Sequence, residues 1–447
     1  MTSRGKAPAP HLTGTSEAPR RATVAIESAG NTPILRQYRE VKARHPEELV
    51  FVRLGDFFEL FGPDAEAAAP VLGVALTGRS FGSAGRIPMC GVPHQALTHH
   101  LRRLLDAGFR VAVWDQVGDA VAGKLVERRV TRVLTAGTLV DEELLDASAV
   151  LRCAALAQHG SVTGIAALDA STGDCELVEL RDATPARIGD ELRRLDVAEL
   201  LVAEGVELPN VTAHDVPRAT LPESVFNPAR AEARVLEAAA ASSLIALGLE
   251  DVPVARVAAG VVLAYCERSQ VRLSAELLRF RVHRDSARMV LDEHTRRNLE
   301  LIRAAGSGLS LVGLVDGTRT PMGARLLRSW VQAPLLEVPA IAARADAVAA
   351  LVADTPARDA LRAALRGVRD LERLVARCAQ GGASPRDLAA VRDACKALPA
   401  VRASMTGASA GSTVLHDCAE RSVAPDAVLQ RLCDLLVEDP PGDARAG

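Results

Sequence analysis

Apolar positions along this chain change their spacing twice. Ile34, Leu35, Tyr38 and Val41 recur at helical intervals, and Thr32 with Pro33 behind it makes a helix start. Leu49 to Leu54 is a strand-like run, and after a turn at Pro63 the sequence offers Asp64 as the cap of a short helix. Pro93 to Ala107 predicts a second helix closed by Gly108, and Phe109 to Val117 a returning strand. Alternating helices and strands predict a small mixed α/β domain over residues 31–145.

From Ser148 the pattern shifts to short strands. Leu151 to Ala157, Val162 to Leu168 and Cys175 to Leu180 read as a meander, the last two joined by the turn Ser171-Thr172-Gly173-Asp174. Ile188 to Leu195 predicts a helix and Glu199 to Ala203 a strand. Asn227 caps an alanine-rich helix that runs toward Leu247. This second α/β unit is assigned residues 146–253. Beyond it the chain turns helical, residues 254–447. Val257 to Gln270 reads as one apolar helix. Leu361, Leu365, Val368, Leu371, Val375 and Cys378 mark an amphipathic one, and Pro385 to Leu398 another. Residues 1–30, rich in Pro, Ala, Ser, Thr and Gly, lack any period and are expected to be disordered.

With 447 residues the chain has room for about three domains. A net charge of −3 excludes a global basic field, so a nucleic-acid surface would have to be local. The eight cysteines show no CxxC and no dense spacing, which predicts reduced, mostly buried thiols. Cys90 with His94, His99 and His100 is the one cluster worth testing for a metal, and packing is the better reading without a second cysteine pair. The absence of an apolar run of about 18 residues, or of an apolar leader, points to a cytoplasmic protein without a membrane span.

One heptapeptide carries most of the chemistry. GDFFELF, Gly55 to Phe61, sets three of the eight phenylalanines beside a carboxylate. Clustered aromatics usually form core. The other reading has one ring exposed and unstacking a base step while Glu59 bonds a base edge. GDAVAGKL, Gly118 to Leu125, spells a phosphate loop whose last position is Leu125 where a Ser or Thr must hold Mg²⁺, so nucleotide binding is not expected there. The arginines Arg362, Arg366, Arg369, Arg373 and Arg377 read as a solvated face partly paired with Asp370 and Glu372.

Longer blocks reverse the bland reading of the heptapeptide. TPILRQYREVKARHPEELVFVRLGDFFELF, IPMCGVPHQALTHHLRRLLDAGFRVAVWDQVGD and VERRVTRVLTAGTLVDEELL resemble the mismatch-recognition domain of the MutS family of DNA mismatch-repair proteins. ALDASTGDCELVEL, LDEHTRRNLEL and TPMGARLLRSWVQAPL continue the resemblance, in family order, to about residue 440. The family's Phe-x-Glu pair falls on Phe57 and Glu59. The resemblance implies an RNase H-like connector at 146–253 and the first, incomplete half of a helical lever domain at 254–447. It implies no enzyme activity in this chain, because ATP and Mg²⁺ belong to a C-terminal domain not expected within these residues. Partners implied are duplex DNA with mispairs or small loops and a MutL-like protein. Homodimerisation belongs to the full-length family, and this stretch is expected to be largely monomeric, with apolar helix faces left open. Its place would be the bacterial cytoplasm, at the nucleoid.

The implied mechanism follows from DNA mechanics. Bending a duplex costs several kcal/mol, and a mispaired step bends more cheaply than a matched one. Phe57 would enter from the minor groove and stack on the displaced base, with Phe58 pointing into the core. Glu59 would accept from a thymine N3–H or, protonated in the phosphate field, donate to a purine N7. Arg79 and Arg86, in GRSFGSAGR, are the candidate phosphate contacts. Two alternatives stay open: an RNase H-like nuclease using Asp169 and Asp174, and a protein-interaction scaffold without DNA binding of its own.

Overall fold

The computed structural model describes residues 33–80, 86–116, 128–206, 216–283, 288–408 and 411–442. Residues 1–30, Thr32, the GDAVAGKL segment and the middle of GRSFGSAGR lie outside the described residues.

The first unit is built on a six-stranded sheet of order β3-β4-β2-β1-β5-β6. Its strands are β1 (Leu49–Leu54), β2 (Phe57–Phe61), β3 (Thr77–Ser80), β4 (Arg86–Pro93), β5 (Val111–Gln116) and β6 (Arg128–Leu134). Only β1 and β5 run parallel; the other neighbours are antiparallel. Strand alternation splits the apolar residues between two cores. Leu49, Phe51, Phe58 and Leu60 face the helices Pro63–Leu72 and Leu97–Asp106, while Val50, Val52 and Phe61 face the helix Pro33–Arg44. Burying each such aromatic contributes about 1.5–3 kcal/mol.

Asp64 is not a helix cap. Gly62 holds the cap position, and Asp64 sits buried in the first turn. Its carboxylate accepts from Tyr38 Oη at 2.9 Å, Lys42 Nζ at 2.8 Å and Val50 N at 3.0 Å, tying Pro33–Arg44 to β1. A buried carboxylate needs such partners, and three donors outcompete the capping role.

A second six-stranded sheet has the order β11-β10-β7-β8-β9-β12. It comprises β7 (Arg152–His159), β8 (Val162–Asp169), β9 (Asp174–Arg181), β10 (Val197–Ala203), β11 (Arg218–Leu221) and β12 (Arg279–His283). β7, β8 and β9 form the antiparallel meander; β10 is parallel to both β7 and β11, and β12 is parallel to β9. Thr184 caps the helix Pro185–Arg194, whose Ile188 and Leu192 cover one face. The other face holds the helix Pro253–Arg268, with Ala258, Ala259, Val261 and Val262 fully buried. A Cβ on Gly164 would lie 2.3 Å from the Val254 carbonyl carbon, so glycine lets helix and sheet touch backbone to backbone. This helix, assigned from sequence to the third unit, therefore belongs to the second. Asn227 caps its helix as expected, but that helix ends at Ala238, and Leu247 lies in a separate short turn after Ala240 at φ 47°.

The remainder is helical. The stripe from Leu361 to Cys378 breaks into two helices, Thr355–Leu365 and Leu371–Ala379, the second capped by the Asp370 carboxylate. Pro385–Ala408 is longer than expected and passes through Pro399. Leu309, Leu314, Val338, Val348, Val352 and Leu435 stand exposed. Among the described residues no helix is long and apolar enough to cross a membrane.

Two buried charged clusters join the units. Glu199 of β10 accepts from Tyr265 Oη at 2.7 Å and Gly137 N at 3.3 Å, and pairs with Arg110 Nε at 3.2 Å. The arginine face expected to be solvated is in part a joint. Arg373 is buried and donates to the Asp146 carbonyl at 2.9 Å, the Ala149 carbonyl at 2.6 Å and Ser171 Oγ at 3.2 Å. Arg325 forks onto Asp370 at 2.5 and 2.8 Å and reaches Glu372 at 2.7 Å. Burial works against the charge on Arg325, but its bonds to Asp370 and Glu372 hold it firmly protonated. Helical periodicity shows which residues share a face; it does not show that a neighbouring segment covers that face.

Candidate nucleic-acid interface

Gly55, at φ 63°, turns the chain between β1 and β2, and the Asp56 carbonyl accepts from His94 N at 2.8 Å. β2 thus starts with Phe57 on a pinned backbone. The heptapeptide is extended, not helical, so its phenylalanines separate by the strand period. Phe58 is 1% exposed, stacked on His94 at 5.7 Å and edge-on to Phe51 at 6.4 Å. Phe57, Glu59 and Phe61 share the opposite face. Tyr38, edge-on at 5.6 Å, covers Phe61. Among the described residues no ring stacks over the other end, where Phe57 is 49% exposed beside Pro93 of β4. An aromatic ring lies half in water on a strand paired along both edges.

Glu59 is not alone on this face. Its Oε2 accepts from Arg79 Nη1 at 2.7 Å, with side-chain exposures of 14% for the glutamate and 47% for the arginine. Gly91 of β4 sits opposite Glu59 in the ladder, and a Cβ there would lie 3.4 Å from Glu59 Cγ. The missing side chain leaves the carboxylate room. Arg86, exposed at the start of β4, folds over Gly78 and donates to its carbonyl at 2.9 Å. Of the four residues singled out from sequence, Phe57 and Glu59 share a face, Arg79 joins Glu59, and Arg86 is anchored to β3. The Arg79–Glu59 pair left no trace in the sequence, because twenty residues and a hairpin register separate the partners. Nearby, Arg53 pairs with Asp115 at 3.2 Å, and Arg128 Nε donates to the Arg53 carbonyl at 3.2 Å.

Among the described residues the middle sheet does not assemble a carboxylate cluster of three or more. Asp169 is buried and accepts from Ser171 N at 2.9 Å and Ser171 Oγ at 2.6 Å, closing the turn. Asp174 faces Arg279 at 2.9 Å and Arg281 at 3.4 Å. Cys90 Sγ donates to the Ala65 carbonyl within the core, and burial pushes its thiol up to about 11. His94 is spent on Phe58. Among the described residues no group of three or more His, Cys, Asp or Glu side chains is arranged to hold a metal ion.

Comparison with known proteins covers most of the chain. Family models described as MutS domain I, MutS domain II and MutS domain III match residues 32–143, 151–279 and 294–447 in that order. The DNA mismatch repair protein MutS of Anaeromyxobacter sp. (strain Fw109-5) is 39% identical over 428 residues, 94% of this chain and 48% of that protein. Its namesake in Symbiobacterium thermophilum is 39% identical over 391 residues, 85% of this chain and 45% of that protein. That of Myxococcus xanthus (strain DK1622) is 38% identical over 438 residues, 95% and 48% respectively. The chain spans about half the length of the curated relatives it matches. Three consecutive domain matches and long colinear relatives agree, and the chain belongs to the MutS family.

Proposed function

We propose that this chain recognises mispaired or unpaired bases in duplex DNA, as the sensing part of a mismatch-repair protein. The observation that carries the reading is Phe57, half exposed at the tip of a strand whose next residue is locked in the core. A wedge must be rigid and accessible together, and few large apolar rings in a folded domain are both. Glu59, on the same face, supplies the polar contact to the displaced base. The relatives named above, all called DNA mismatch repair protein MutS, agree with this assignment.

The finer anatomy is part of the proposal. Residues 33–145 form the sensing domain and the helices beyond residue 288 the start of the levers. We read the second unit as an RNase H-like connector, supported by its meander flanked by the parallel strands β10 and β11. Nuclease chemistry is not part of it, since Asp169 and Asp174, opposite each other in the β8–β9 ladder, are engaged by Ser171 and by two arginines. No G-x4-G-K-[ST] occurs in these 447 residues, so we assign them sensing and not nucleotide hydrolysis. A MutL-like partner and self-association through other parts of a longer protein complete the proposal. Titration of the chain with matched duplex and with the same duplex carrying a mispair tests it. Tighter binding to the mispaired duplex is expected, and equal binding to both would refute it.

A further inference from the structure

A wedge is held only as well as the turn that carries it. Gly55 turns the chain at φ 63°, and among the described residues a Cβ there would meet nothing within 4 Å, so no neighbour packs on this point. Glycine also has the most backbone freedom to lose. Two hydrogen bonds hold the turn instead. His94 N donates to the Asp56 carbonyl at 2.8 Å, and Arg53 Nε donates to the Gly55 carbonyl at 3.4 Å. Arg53 is itself fixed. Its Nη1 reaches Asp115 Oδ1 of β5 at 3.2 Å, and its carbonyl accepts from Arg128 Nε at 3.2 Å. We propose that Arg53, held by Asp115, is a positioning residue that braces the Gly55–Asp56 turn and thereby sets how strongly the chain prefers mispaired DNA. The proposal rests on the mismatch-sensing reading of Phe57.

Strand alternation separates the brace from the side that meets DNA. Arg53 lies opposite Phe58 in the β1–β2 ladder and Leu54 opposite Phe57, so Arg53 shares the face of Phe58 while Phe57 points the other way. Arg53 stands behind the wedge, not beside it. A guanidinium suits this position, because its Nε and Nη donors lie in one planar fork and hold the carbonyl and the carboxylate together. A loose turn would let Phe57 move with it, and insertion would then cost the entropy of ordering the turn. On matched DNA the ring does not insert, so the same looseness costs nothing there. The brace therefore acts on the difference between the two duplexes and leaves general affinity alone.

Binding to a fluorescent duplex with a G·T mispair, and to its matched counterpart, should be titrated over a series of KCl concentrations. The chains compared are the wild type, Arg53→Gln, Arg53→Lys and Gly55→Ala, with thermal melts to monitor folding. Arg53→Gln should cut the preference for the mispaired duplex roughly 2- to 12-fold, the worth of one hydrogen bond. Its affinity for the matched duplex, and the salt dependence of that affinity, should stay close to the wild type. Arg53→Lys keeps the charge but not the fork, and should lose preference in the same way. Gly55→Ala strains the turn while leaving Arg53 in place and should show the same signature, which keeps the test decisive if an Arg53 variant fails to fold. A phosphate contact by Arg53 would instead flatten log K against log salt by about 0.9 on both duplexes in Arg53→Gln, with Arg53→Lys close to the wild type. That result would overturn the brace, as would an unchanged preference in Arg53→Gln and Gly55→Ala where Phe57→Ala loses it; either leaves the wedge standing. Failure of the wild-type chain to prefer the mispaired duplex would overturn the sensing reading itself, and the brace with it.

Discussion

Two of the chain's arginine–carboxylate pairs differ in how far their arginines reach solvent. Arg325 and Asp370 have side chains 6% and 10% exposed and bridge two helices beneath the segment that links the two sheets. Arg79 and Glu59, 47% and 14% exposed, stand beside the exposed Phe57. Buried charges lose their hydration, so losing one partner leaves the other stranded at high cost. Exposed charges trade partners with water and ligands at little cost. Burial separates them: the inner pair joins the units, and the outer pair leaves its arginine about half in solvent while its carboxylate is mostly covered.

Removing the carboxylate of the inner pair tests the joint. Asp370→Ala leaves Arg325 only Glu372 and the Ala147 carbonyl, removes the cap of Leu371–Ala379 and weakens the hold of Arg373 on the 146–149 link, and should cost about 3–5 kcal/mol in denaturant melts. A loss below about 1 kcal/mol, the range of exposed pairs, would mean that the buried cluster is not a structural joint. The neighbouring phenylalanines make a matching contrast. Phe58→Ala should cost about 3–5 kcal/mol, because the ring fills a core with Phe51 and His94. Retention of the wild-type melting temperature would place the core elsewhere.

A smaller effect comes from acid. Glu176 is desolvated, which alone would raise its pKa, but Arg152 and Arg194 overcome this and hold it below its ordinary 4.5. A depressed carboxylate stabilises the fold above its unfolded pKa, and that contribution is lost as pH falls through the folded value. The second unit should therefore lose stability as pH falls below 4.5, and Glu176→Gln should flatten that part of the profile. An unchanged acid limb in the variant would remove Glu176 from the account.

Much of this architecture is legible in the sequence where periodicity and caps are strong. Leu49 to Leu54 forms the strand expected of it, the Ser171–Asp174 turn joins β8 to β9, and Asn227 caps its helix. What the sequence hides is tertiary. Asp64 has the composition of a cap, yet three distant donors claim it. Arg373 has the spacing of a solvated face, yet a segment more than two hundred residues away covers it. The apolar Pro253–Arg268 helix could serve any core, and only Gly164 on β8 reveals which sheet admits it. For the site, Phe-x-Glu is visible through the resemblance, whereas the counter-ion of Glu59 depends on how the β3–β4 hairpin lies against β2.

Phe57 gives the most direct test of the whole account. Phe57→Ala should melt within about 1 kcal/mol of the wild type, since a half-exposed ring adds little to a core. Base stacking is worth about 1–3 kcal/mol, so the same variant should lose roughly 5- to 150-fold in its preference for mispaired over matched duplex. Heteroduplex and homoduplex titrations on this variant, with its melt measured alongside, decide the matter. An unchanged melt with the preference gone is the predicted result. A large stability loss with the preference retained would return Phe57 to the core and contradict the account.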